Sequence, residues 1–107
     1  MFDLSKFSLN GKTVIVTGSS RGIGKAIALG FAKAGAKVVL TSRKINDLEI
    51  NAAEIKAFGG EAFPIQAHLG KVEEINRMVN TVVDKFGRIV LFLYYEGSFG
   101  YFVFFLV

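Results

Sequence analysis

The sequence predicts a three-layer α/β fold, a doubly wound parallel sheet in the order β-α-β-α-β-α-β. Short apolar runs rich in β-branched residues alternate with stretches whose apolar residues recur at helical spacing, and glycines punctuate the ends of those stretches. A chain of 107 residues, 51% of them hydrophobic, can bury one such core and not two.

Residues 12–17 form a β-branched run between Gly11 and Gly18, the pattern of a strand buried on both faces. Ile23, Ile27, Gly30, Phe31 and Ala34 then share one helical face, and Gly35 is placed to end that helix in a left-handed conformation. Residues 36–41, centred on Val38, Val39 and Leu40, predict the second strand. A second helix is expected over about residues 46–58, with Leu48, Ala52 and Ile55 inward and Gly59-Gly60 stopping it. Residues 62–67 predict a third strand. Pro64 cannot donate to a ladder, so this strand starts near it or lies toward an edge. The third helix carries the clearest stripe, Val72, Ile75, Val79, Val82 and Phe86, widened by Met78 and Val83 and closed by Gly87.

Composition narrows the function classes. There is no cysteine, which removes disulfides and thiolate metal sites and is compatible with a reducing, cytoplasmic setting. A single histidine argues against zinc. Thirteen Lys and Arg against nine Asp and Glu give a formal charge of +4, scattered along the chain. Such a balance suits a small anion, and without a basic stripe interleaved with aromatics nucleic acid is not expected. Residues 1–10 lack an apolar core of signal-peptide length and predict a short lead-in without secretory export.

The chemistry-bearing motif lies between the first strand and the first helix: Thr17-Gly18-Ser19-Ser20-Arg21-Gly22-Ile23-Gly24. Gly18 permits the turn out of the strand, Gly22 lets backbone approach a pyrophosphate, and Gly24 lets the helix lie close to the sheet. Backbone N–H groups of the first helical turn and the positive end of its dipole then face the anion. Ser19 and Ser20 add hydroxyl donors and Arg21 adds charge. The expectation is a truncated Rossmann-like unit that binds a dinucleotide. Three residues separate the first two glycines, unlike the commoner fingerprint with one, and the Lys-Ser/Thr ending of triphosphate loops is missing.

Thr17-Gly18-x-x-x-Gly22-Ile23-Gly24 resembles the fingerprint of the short-chain dehydrogenase/reductase family, and the resemblance extends from about residue 9 to residue 89. It implies an oxidoreductase using NAD(P) on alcohol or carbonyl groups. The end of the second strand, where such a fold inspects the adenosine ribose, reads Thr41-Ser42-Arg43-Lys44 with no carboxylate before Asp47. An acidic residue there accepts from a free 2′-hydroxyl, whereas a basic fork donates to a 2′-phosphate. Arg43, with Ser42 and Lys44, therefore favours NADP(H) over NAD(H). After the third strand, the resemblance implies an aspartate reaching the adenine amino group. His68 stands there instead, either as an acceptor through a neutral ring nitrogen or as a plain loop residue, and the Leu69 N–H is a second adenine contact.

The resemblance also implies a catalytic tyrosine with a lysine four residues later, assisted by a serine and an asparagine. No Tyr-x-x-x-Lys occurs in the sequence, so no catalytic residue is assigned. Tyr94 and Tyr95 occupy the places of the usual Asn-Asn before Gly97. Residues 1–89 therefore read as a dinucleotide-binding half and residues 90–107 as an apolar aromatic tail, with five of the eleven phenylalanines and one charge, Glu96. Two readings of this tail stand. It is a divergent fourth strand at 90–95 followed by a strand-like remnant, or residues 89–107 are a membrane anchor that would carry Glu96 at a cost of about 2.5–3.5 kcal/mol. The expected product is the cofactor-binding portion of an NADP(H)-dependent oxidoreductase, inactive alone. The alternatives are a non-catalytic dinucleotide-binding or interaction module and a non-functional truncated product. Substrate and oligomeric state are not predicted.

Overall fold

The computed structural model describes residues 9–18, 22–68, 70–87, 91–94 and 103–106, with backbone alone for residues 91–94 and 103–106 and for Ile23. Five strands and three helices alternate as predicted up to the fourth strand: β1 Thr13–Thr17, α1 Gly22–Lys33, β2 Lys37–Ser42, α2 Ile45–Ala57, β3 Glu61–Gln66, α3 Val72–Phe86, β4 Leu91–Tyr94 and β5 Val103–Leu106. The sheet order is β3-β2-β1-β4-β5. β1 pairs in parallel with β2 and β4, and β2 with β3, whereas β5 runs antiparallel to β4.

The period of two along the strands divides the core into two layers. Val14, Val16, Val38 and Leu40 face α1 and α2, where they meet Ile27, Phe31, Leu48, Ala52 and Ile55. Ile15 and Val39 face the other way and pack with Ala67 and with Met78 and Val82 of α3. Every residue of β1 is buried, as a central strand covered by helices on both faces requires. Burying each such aliphatic side chain contributes about 1.5–3 kcal/mol.

Several details depart from the sequence reading. β3 is indeed an edge strand, but it begins three residues before Pro64, which sits opposite Leu40. An edge leaves one row of backbone groups unpaired, so a missing N–H is tolerated there. The stripe on α3 is narrower than predicted: Met78 and Val82 are fully buried, but Val72 and Val83 are exposed. Asn51 is buried on α2 alongside the expected Leu48, Ala52 and Ile55. The strand at 91–94 and the antiparallel strand at 103–106 favour the strand reading of the tail over a continuous membrane helix. Among the described residues no helix is long and apolar enough to cross a membrane.

Candidate functional site

Because β1, β2 and β3 are parallel, their C-terminal ends lie along one rim, and the residues that follow them come together there. Two backbone bonds continue the ladders past the strands: the Gly18 N–H donates to the Thr41 carbonyl at 2.9 Å, and the Ala67 N–H donates to the Ser42 carbonyl at 3.0 Å. Gly18, Ser42-Arg43-Lys44 and His68 are thus held along one rim by main chain. The chain moves from β1 to β2 and β3 on one side and returns to β4 on the other, which makes the β1 end the switch point of the sheet. Open α/β sheets bind ligands in the crevice at such a point.

Gly18 and Gly22 both have positive φ, +64° and +62°. A Cβ built on Gly22 meets no atom within 4 Å among the described residues, although its positive φ would itself strain a side chain there. Gly24 is buried. Ser19, Ser20, Arg21 and Leu69 lie outside the described residues, as does the side chain of Ile23.

At the β2 end, the Ser42 hydroxyl accepts the Lys44 N–H at 3.1 Å, a local turn that keeps its own O–H available for donation. Arg43 is exposed and divides two cavities. One of about 250 Å³ is lined by Arg43, Gln66, Ala67, His68, Glu74 and Arg77. The other, of about 340 Å³, is lined by Arg43, Lys44, Ile45, Asn46 and Asp47. Asp47, the first carboxylate after the strand, therefore borders the basic pair from the first turn of α2.

The wall beyond Arg43 contains residues that the sequence reading missed. Gln66 Nε2 donates to the Arg43 carbonyl at 2.9 Å, and Arg77 Nη2 donates to the Gln66 carbonyl at 2.8 Å. Glu74 accepts the His68 backbone N–H at 2.8 Å and lies 3.7 Å from Arg77 Nη2. Chiefly that backbone bond, aided by the charges of Lys71, Arg77 and His68 and opposed by partial burial, holds the Glu74 carboxyl below its ordinary range. Glu74 stands three residues after the helix cap, where a capping box would reach back to the cap N–H; here it reaches further, to residue 68.

His68 itself is half-buried. Its Nδ1 accepts the Gly70 N–H at 3.0 Å, and its Nε2 lies 3.5 Å from Arg43 Nη1. With Nδ1 accepting, the neutral ring carries its hydrogen on Nε2. In this arrangement the ring is a donor toward the cavity and not the acceptor that an adenine amino group requires.

A family model described as short chain dehydrogenase matches residues 12–96. The chain belongs to the short-chain dehydrogenase family. It is 42% identical over 83 residues to a 3-oxoacyl-[acyl-carrier-protein] reductase of Synechocystis sp., covering 77% of this chain and 34% of that protein. It is 33% identical over 105 residues to a 7alpha-hydroxysteroid dehydrogenase of Escherichia coli, covering 94% and 39%. Among solved structures, a hydroxysteroid dehydrogenase from Escherichia coli superposes with a TM-score of 0.83 at 32% identity, covering 87% of this chain and 38% of that one. A metagenomic short-chain oxidoreductase in complex with NADP gives a TM-score of 0.77 at 39% identity, covering 78% and 38%. This short-chain dehydrogenase chain thus spans little more than a third of the length of the relatives it matches. The family binds a nicotinamide dinucleotide.

Proposed function

We propose that this chain is the cofactor-binding portion of an NADP(H)-dependent oxidoreductase acting on alcohol or carbonyl groups, with residues 1–89 as the dinucleotide-binding half and residues 90–107 as a divergent tail. The observation that carries the cofactor preference is Arg43 at the end of β2, exposed between two cavities, with Ser42 beside it and no carboxylate from Thr41 to Lys44. A guanidinium offers a planar fork of donors that matches a phosphate and leaves a bare 2′-hydroxyl less well served.

When bound, the dinucleotide supplies hydride chemistry. The chain's own residues bind and orient it. Gly18, Gly22 and Gly24 shape the turn for the pyrophosphate, with Ser19, Ser20, Arg21 and the backbone at Ile23 as donors. Ser42, Arg43 and Lys44 take the 2′-phosphate, the Leu69 backbone contacts the adenine, and His68 stands at the edge of the site beside Arg43. No residue of the 107 is assigned to proton transfer, because the sequence holds no Tyr-x-x-x-Lys. A cytoplasmic setting accords with the absence of cysteine.

Titration of the full chain with NADPH and NADH tests this reading. NADPH is expected to bind more tightly, and Arg43→Ala to weaken NADPH by about tenfold or more while leaving NADH nearly unchanged, the size of a lost charge-assisted bond. Equal affinity for the two dinucleotides, or none for either, would overturn it.

A further inference from the structure

We infer that His68 is a second phosphate donor, acting with Arg43 on the adenosine 2′-phosphate, and so a specificity-determining residue of the site. The inference rests on the NADP(H) reading above and adds to it a partner that lies 25 positions away in sequence.

Two hydrogen-bearing nitrogens face each other here. The Gly70 N–H occupies His68 Nδ1 at 3.0 Å, which leaves Nε2 with the ring hydrogen, and Arg43 Nη1 stands 3.5 Å from it. A guanidinium has no acceptor, so these groups cannot satisfy one another. An anionic oxygen between them accepts from both, and neighbouring oxygens of one phosphate reach both nitrogens equally well. The cavity of about 250 Å³ that both residues line gives such an anion room at the rim of the sheet.

The pair is also held in place from behind. Gln66 fastens the Arg43 carbonyl, Arg77 fastens the Gln66 carbonyl, and Glu74 fastens the His68 N–H, and the Arg77–Glu74 ion pair at 3.7 Å joins the two sets, so the backbones of both donor residues are anchored. Glu74 is the carboxylate in this wall. Its bond to the His68 backbone and its closeness to Arg77 occupy it away from the donor pair. Gly70 fixes the ring from the front: a Cβ there would come within 2.7 Å of the His68 Cε1 and displace the imidazole. Removing a ring hydrogen bond therefore has two routes, deletion of the ring by His68→Leu and displacement of the ring by Gly70→Ala.

The probes are adenosine 2′,5′-bisphosphate and 5′-AMP, which differ only in the 2′-phosphate, titrated calorimetrically into the full chain. His68→Leu and Gly70→Ala are each expected to weaken the bisphosphate by about tenfold, with 5′-AMP changed less than about twofold, as for one lost bond to a charged group. His68→Gln, which keeps an N–H donor, restores part of the preference. On the unaltered chain, adding the bisphosphate is expected to shift the ¹⁵N resonance of His68 Nε2, and 5′-AMP is not; this readout survives even if a variant fails to fold. Loss of both probes alike, or an unmoved Nε2 resonance while Arg43→Ala still abolishes the preference, would overturn the role of His68 and leave the NADP(H) reading standing. A chain that never distinguishes the bisphosphate from 5′-AMP would overturn both.

Discussion

Glu74 shows how one side chain can serve the fold and the site together. Its carboxylate holds the His68 N–H, and through that bond it fixes the loop between β3 and α3. The same bond lowers its pKa, so its contribution to stability has a definite sign. A carboxyl with a depressed folded value stabilises the fold at pH above its unfolded value and loses that contribution as the pH falls through the folded one. The wild-type chain is therefore expected to lose more stability than Glu74→Gln between neutral and acid pH. Denaturant midpoints for both chains across that range check it, and parallel pH curves would refute it. The glycine turn and Arg43 could be read from the sequence, because each stands next to the strand that positions it. The Gln66, Glu74 and Arg77 wall could not, since, apart from the i,i+3 pair of Glu74 and Arg77, its bonds join the ends of β2 and β3 to α3 across 6 to 23 positions.

At the scale of elements, α3 separates pattern from packing. Its apolar stripe suggested seven inward residues, yet Met78 and Val82 alone are fully buried, while Ile75, Val79 and Phe86 are half-buried. Val83 remains 40% exposed and Val72 68% exposed. A helix laid on a twisted sheet touches it along a narrow line, so residues at the margin of the stripe stay wet. Met78→Ala is expected to cost about 2–4 kcal/mol and Val83→Ala under about 1 kcal/mol. Urea denaturation of the two variants distinguishes them, and comparable losses would show that the stripe packs more widely than the described contacts. Phe63 on β3 and Phe86 on α3 close the end of this layer, their rings 4.6 Å apart with Lys85 over Phe63 at 4.7 Å.

At the scale of the whole molecule, the fifth strand sets this chain apart from the sheet its first four strands begin. A doubly wound sheet of this order continues beside β4 with a parallel strand, which needs a crossover of a dozen or more residues. Residues 95–102 are too few for that, and β5 fills the place in the opposite direction. It forms the end of the sheet, with the apolar run Val103-Phe-Phe-Leu106 and no charge or proline to discourage another strand from adding. The chain is expected to self-associate through this edge as concentration rises. Val103→Lys should raise the monomer fraction in sedimentation velocity, and an unchanged distribution would show that association, if present, uses another surface.

The sequence by itself determined the alternation of strands and helices, the glycine turn at the head of α1 and the basic residues at the end of β2, because each depends on spacing within a few residues. Only the tertiary structure decided that β3 lies at an edge, that β5 turns back against β4, and that His68 meets Arg43 across a shared cavity. Those outcomes depend on strand order and on contacts between distant segments. Such contacts form when apolar faces are buried together, and no periodicity along the chain encodes them.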